Sequence, residues 1–192
     1  MKRMCWVGYF TLAVLLSSQH SLASTFFYFT SSPQSWIGQG QTQMYTTVTA
    51  SVTYNLGAYS DSVHFAGGGG FGLTIVGPNL SLPVVGMNSN ATRWPFQGSG
   101  PGMDFTGPGR GNNTLTGYFN VLQAEYDASG QVAAFAVDFL QYDEGIATWW
   151  NSGSIRYNSP IAIPEPSTAL LVALALLGIG GGILLRRLPG AL

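Results

Sequence analysis

The sequence predicts an all-β fold, a sandwich or jelly-roll-like domain held between two apolar chain ends. Three observations carry that expectation. Residues 24–160 are dominated by Gly, Ser, Thr, Asn and aromatic residues, which disfavour helix and favour strands and turns. Met44, Thr46, Val48, Ala50, Val52 and Tyr54 alternate with Tyr45, Thr47, Thr49, Ser51 and Thr53, the period of two of a half-buried strand. No amphipathic helical period runs through residues 24–160, and Gly/Pro breaks interrupt it repeatedly, as in a fold of many short strands.

Composition removes several classes of function. Of the 192 residues, 7 are Lys or Arg and 8 are Asp or Glu; 8% are charged and 46% hydrophobic. A disordered chain carries more charge and less apolar surface, and a nucleic-acid binder needs a basic patch. Cys5 is the one cysteine, which excludes an internal disulfide, a Cys nucleophile in the domain and a Cys-ligated zinc site.

Residues 1–23 read as a secretory signal peptide. Lys2 and Arg3 supply the positive start, Cys5–Leu16 the short apolar stretch, and Ser21 and Ala23 the small residues before a cut after Ala23. Cys5 leaves with this segment. An uncleaved anchor helix is the alternative. Residues 24–160 form one extracytoplasmic domain. After the strand at Met44–Tyr54, Phe71–Val76 is a second. Leu115–Tyr126 and Gln131–Gln141 flank the turn-forming set Asp127, Ala128, Ser129 and Gly130 and read as a long hairpin. Within it Phe135, Val137 and Phe139 face one way, and Ala134, Ala136 and Asp138 the other. Ile155–Tyr157 is a short closing strand. Gly67–Gly70 and Gly98–Gly111 are the loop-rich breaks; neither has the Gly-Lys-Ser/Thr ending of a phosphate loop.

Residues 161–168 are a linker, 169–187 an apolar helix with a basic end, and 188–192 a tail. Ala169–Leu185 is uncharged and as a helix spans roughly 25 Å, about the hydrocarbon thickness of a bilayer. Arg186 and Arg187 follow at once and hold that end in the cytoplasm. Pro164-Glu165-Pro166 stands before the helix, extended and short of two backbone donors. Pro-Glu-Pro, an apolar helix and a basic terminus, in that order, resemble a PEP-CTERM sorting signal. The resemblance implies an exosortase as processing partner, a transient inner-membrane anchor, and delivery to the cell surface or extracellular matrix of a Gram-negative bacterium that makes exopolysaccharide. A plain inner-membrane anchor is the alternative.

The domain itself is similar to a group of exported bacterial β-domains without assigned activity, through Gly109–Phe119, Asp138–Gly145 and Gly153–Ser159. That resemblance implies Cys at the positions of Asn112 and Asp143. Their joint absence implies that Asn112 and Asp143 are neighbours in space.

The chemistry-bearing residues are few. His64 is the one histidine after the signal peptide, and no Ser lies in a Gly-x-Ser-x-Gly elbow. Asp143 and Glu144 are adjacent, with Asp104, Glu125, Asp127 and Asp138 as further acids; a glycosidase needs two carboxylates facing one bond. The same acids with Asn side chains are the candidates for a Ca²⁺ site, though no regular Asp-x-Asp-x-Asp loop is present. Asp138, in a strand apolar on both faces, needs a cationic partner, and Arg110 or Arg156 is expected to supply it. Trp36, Trp94, Trp149 and Trp150 are candidate stacking platforms for sugar rings, with Asn151 beside Trp149 and Trp150 as a hydroxyl partner. These residues predict a non-catalytic structural or adhesive module binding exopolysaccharide, without cofactor, metal or nucleic acid. A glycan-active enzyme is the second hypothesis. Converging carboxylates near Trp149 and Trp150 would favour the enzyme, and a flat aromatic face would favour the binder.

Overall fold

The structure, a computed structural model, describes residues 22–54 and 61–162. Pro164–Pro166, the apolar run Ala169–Leu185, Arg186 and Arg187 lie outside the described residues, as do residues 1–21 of the expected signal peptide. Ala23 is exposed, one residue before the first strand. No helix among the described residues is long and apolar enough to cross a membrane.

The domain is all-β. Its ten strands are β1 (Ser24–Ser31), β2 (Thr42–Tyr45), β3 (Thr49–Thr53), β4 (Ser62–Ala66), β5 (Gly72–Val76), β6 (Gly86–Arg93), β7 (Gly102–Thr106), β8 (Leu115–Tyr126), β9 (Val132–Asp143) and β10 (Trp150–Ser159). They form one sheet in the order β2-β1-β10-β9-β8-β6-β7-β5-β4-β3. Only the β6–β7 pair is parallel. Two separate sheets were expected. Instead, one sheet curls into a half-barrel and folds its own inner face together.

Aromatic residues from distant strands meet across that fold. Phe29 of β1 lies 4.5 Å from Phe71 and 5.1 Å from Phe105 of β7, while Phe65 of β4 lies 5.2 Å from Phe135 of β9. Phe27, Phe29, Phe65, Phe105, Phe119 and Phe135 are fully buried. Burying each contributes about 1.5–3 kcal/mol, which makes the curl more favourable than an open sheet.

The run expected as one strand from Met44 to Tyr54 is two strands. β2 pairs with β1 and β3 with β4, so consecutive segments form the opposite edges of the sheet. Residues 46–48 turn the corner and shift the phase. Ala50 and Val52 face inward as expected, but in β2 the inward residue is Tyr45, and Met44 is 54% exposed. Both edges are covered. Tyr45 packs against Gly67 and Gly68, where a Cβ would meet its ring; Val52 N donates to Gln131 Oε1 at 3.3 Å and Tyr54 Oη to the Gly130 carbonyl at 2.7 Å.

The β8–β9 hairpin has the expected turn. Asp127 Oδ1 accepts from Ser129 N, Ser129 Oγ and Gln131 N at 2.6–3.0 Å, and Gly130 takes the left-handed φ of 81° that a side chain would resist. Phe135, Val137 and Phe139 point into the core. Two other expectations are corrected. Gly98–Gly111 contains β7, whose Met103 and Phe105 are fully buried. Ile155–Tyr157 lies within β10, a ten-residue strand in the middle of its half of the sheet, paired with β1 and β9. Its inward positions include Asn151 and Gly153, and a Cβ on Gly153 would overlap the Phe139 ring; the core is therefore filled from the neighbouring strand.

Candidate functional site

Asp143 ends β9 fully buried, and five donors converge on it. Oδ2 accepts from Ser35 Oγ at 2.7 Å and Ile37 N at 3.0 Å. Oδ1 accepts from Asn112 Nδ2 at 3.1 Å, Gln141 Nε2 at 3.1 Å and Asn151 Nδ2 at 2.8 Å. None is a cation. Gln141 also brackets the backbone of Phe105, accepting from its N–H at 2.7 Å and donating to its carbonyl at 3.0 Å. Ser35 Oγ is 2.7 Å from Asn151 Oδ1 as well, so its single proton serves either oxygen. One carboxylate thus ties the Ser32–Gly40 turns, the approach to β8, and the ends of β9 and β10. Hydrogen bonds to a charged group contribute about 1.5–3 kcal/mol each. Asn112 and Asp143 are therefore direct neighbours.

Asp138 pairs with Arg156, not Arg110. Arg156 Nη1 lies 2.9 Å from Asp138 Oδ1. The guanidinium is fully buried and also donates to the carbonyls of Val137, Ile155, Ile161 and Ala162 at 3.0–3.4 Å. It pins the chain that leaves β10. Arg110 instead donates Nε to the Ile37 carbonyl at 3.0 Å and lies over the Phe71 ring.

His64, Thr74 and Asp104 stand in register on β4, β5 and β7. His64 Nδ1 is 3.0 Å from Thr74 Oγ1, and burial lowers its pKa. Two strand spacings, roughly 10 Å, separate the His64 and Asp104 backbones, so the pair does not form a His–Asp couple. Asp104 Oδ1 is buried without a hydrogen-bond partner among the described residues. Burial raises its pKa to about 7; Arg93 pulls it down, and Asp143 pushes it up. Arg93 Nε and both polar atoms of the buried Gln97 carboxamide also lack partners there, and Gln97 packs on Gly102, two residues from Asp104.

The remaining acids are occupied separately. Glu144 accepts from Asn113 N at 2.7 Å and from Thr114 N and Oγ1 at 3.3 and 3.4 Å; Glu125 accepts from Gln123 Nε2; Asp127 holds its turn. The adjacent pair Asp143 and Glu144 therefore points into the core and onto a loop, not toward one bond. Among the described residues no cluster of three or more His, Cys, Asp or Glu side chains could hold a metal ion.

The outward face of the sheet carries the aromatic residues. Trp150, Tyr142, Thr116 and Thr92 are successive partners across β10, β9, β8 and β6. Residues directly opposite share a face, and their inward neighbours Asn151, Asp143, Leu115 and Ala91 are buried. Trp149, in the loop before β10, is half-buried, and Trp36 is half-exposed. Asn151 is corrected as a sugar contact: it is fully buried and committed to Asp143 and Ser35. Sharing Thr92, Thr116 and Tyr142 with that row, β6 and β8 floor a groove in two parts. One, of about 370 Å³, is lined by residues that include Asn90, Thr116, Tyr118 and Tyr142. The other, of about 520 Å³, is lined by Thr92, Arg93, Phe96, Asn113, Thr114 and Leu115.

No family model matches the chain, and no curated protein or solved structure is similar to it. The functional argument therefore rests on this geometry. Sequence reasoning missed Tyr118, Tyr142 and Phe96. The alternation of Thr116 and Tyr118 in β8, and of Leu140 and Tyr142 in β9, was the available signal for the two tyrosines.

Proposed function

We propose that the chain is an exported cell-envelope or extracellular-matrix protein, sorted through its Pro164–Pro166 tail by an exosortase. In this reading its β-domain is a non-catalytic structural or adhesive module that binds exopolysaccharide. The observation that carries the binding role is the outward Trp150–Tyr142–Thr116–Thr92 row. Flat rings beside hydroxyl groups suit the C–H faces and hydroxyls of sugars. The adjacent acids favour a binder: Asp143 is enclosed by donors and Glu144 is bonded to Asn113 and Thr114, so these two do not face one bond as a glycosidase pair does. The ends of the domain support the tethering. Ser24 Oγ donates to the Ser159 carbonyl at 3.2 Å, so both chain ends leave from one end of the sheet. Trp150 begins the ten-residue β10 that ends at Ser159, roughly 30 Å away.

The test is the intact mass of the protein from native cells and the fraction that holds it. A chain starting at Ser24 and ending near Pro164–Pro166, outside the inner membrane, is expected. A chain retaining Ala169–Leu185 in the inner membrane would reduce the tail to a plain anchor and overturn the sorting.

A further inference from the structure

We infer that the groove floored by β6 and β8 takes an internal segment of a linear, neutral, β-1,4-linked polysaccharide; this rests on the polysaccharide-binding part of the function proposed above. The two parts of the groove share Thr92 and meet along the consecutive residues Thr114, Leu115 and Thr116, so they form one trough along the strands. Along β8, from Thr114 to Tyr118, that trough runs roughly 13 Å, room for two or three sugar rings; beyond Arg93 the chain turns, with the Phe96 N–H bonded to the Arg93 carbonyl at 2.8 Å. An aromatic group marks each end. Phe96 is 71% exposed, and Arg93 covers one face of its ring at 4.9 Å, leaving the other face open. At the far end stand Tyr118, 41% exposed, and Tyr142. Between them lie Thr92, Asn113, Thr114, Thr116 and, at the β6 bulge, Asn90.

The charges select the ligand class. Arg93 is the one charged side chain lining the trough. Its Nη1 donates to the Asn113 carbonyl at 3.1 Å, while the Asn113 N–H bonds Glu144. Cation and acid, held on the two sides of Asn113, offset one another locally, which leaves little net attraction for a uronate or phosphate. Rings at both ends with hydroxyl and amide groups between them fit a ribbon whose C–H faces stack and whose equatorial hydroxyls bond sideways. Both parts are open troughs, so a chain can lie through them without its end being recognised.

Titration calorimetry of the full chain in detergent with β-1,4-linked glucose oligomers, dimer through hexamer, tests the assignment. Affinity is expected to rise from the dimer to the trimer or tetramer and then level off. Phe96→Ala and Tyr118→Ala are each expected to weaken the hexamer about threefold to tenfold, with an unchanged melting temperature and little effect on the dimer. A dimer that binds as tightly as the hexamer overturns the extended trough. A preference for the uronate-oxidised hexamer overturns the neutral class. Loss of binding in Trp150→Ala but not in Phe96→Ala moves the ligand to the β9–β10 row and also overturns the assignment. Binding of none of the oligomers by a protein still found processed outside the inner membrane overturns the trough and leaves the sorting intact.

Discussion

Asp143 and Asp104 are two carboxylates sunk into the same sheet, and the domain treats them in opposite ways. Asp143 has five donors and no cation. Asp104 has the Arg93 charge nearby, yet its Oδ1 has no hydrogen-bond partner among the described residues, and its pKa climbs to about 7. The difference teaches what contact supplies: five N–H and O–H groups meet the oxygens of Asp143, whereas the Arg93 charge acts on Asp104 without bonding its Oδ1. Desolvation is offset where each lone pair is met, and a field from beyond contact is too weak to replace those bonds.

The largest effect that would break this comparison is at Asp143. Asp143→Ala leaves the side chains of Ser35, Asn112, Gln141 and Asn151 without their shared acceptor. Denaturant unfolding is expected to show a loss of about 4 kcal/mol or more, and a loss below about 1 kcal/mol would remove Asp143 as a structural hub. The third buried arrangement, Arg156 with Asp138, sharpens the contrast by adding a touching cation. Arg156→Leu abandons Asp138 and four buried or half-buried carbonyls and is expected to cost about 3 kcal/mol. It should also make the chain after Ser159 more sensitive to proteolysis, because Ile161 and Ala162 lose their donor.

Asp104 should respond in the other direction. Its folded pKa lies above the unfolded value near 4, so the folded state binds the extra proton between about pH 4 and pH 7. Stability from this group is fully present at the acid end and is lost as pH rises through about 7. Asp104→Asn is therefore expected to stabilise the protein at pH 8 by about 2 kcal/mol, less than the full shift implies because the group is partly exposed. Melting curves of the two proteins should converge as the pH approaches 4. Destabilisation at pH 8 would show that the Asp104 charge is used. The smallest expected effect is Asn112→Ala, which removes one of the five donors to Asp143 and also an unpartnered Oδ1. A loss of about 1 kcal/mol by the same unfolding assay is expected, and one approaching that of Asp143→Ala would mean that the hub acts through this single bond.

The parts of the fold visible in the sequence were those governed by neighbours along the chain. The β8–β9 hairpin declared itself because Asp127 and Gly130 build their own turn and Phe135, Val137 and Phe139 repeat every second residue. β7 was hidden among glycines and prolines because it has only five residues. β10 was hidden because polar Asn151 and bare Gly153 occupy inward positions, and only the partner strands explain why that is tolerated. The corner at residues 46–48 could not be seen, since the alternation continues through it nearly unbroken. The site was less legible still. Ser35 and Ile37 reach Asp143 across more than one hundred residues, and Trp150, Tyr142, Thr116 and Thr92 become a row only through a register that no local pattern encodes. The proximity of Asn112 and Asp143 was expected only through the resemblance that implies Cys at both positions; no pattern in the sequence itself encodes it.

The position of β10 has a mechanical consequence. Were the domain pulled between its tail at Ser159 and the start of β10 at Trp150, tension would run along the axis of one strand. That strand is bonded on both sides, to β1 and to β9, with bonds that lie across the direction of pull. The load would therefore be carried in shear by two ladders at once, where a peripheral strand pulled from its end would peel open one bond at a time.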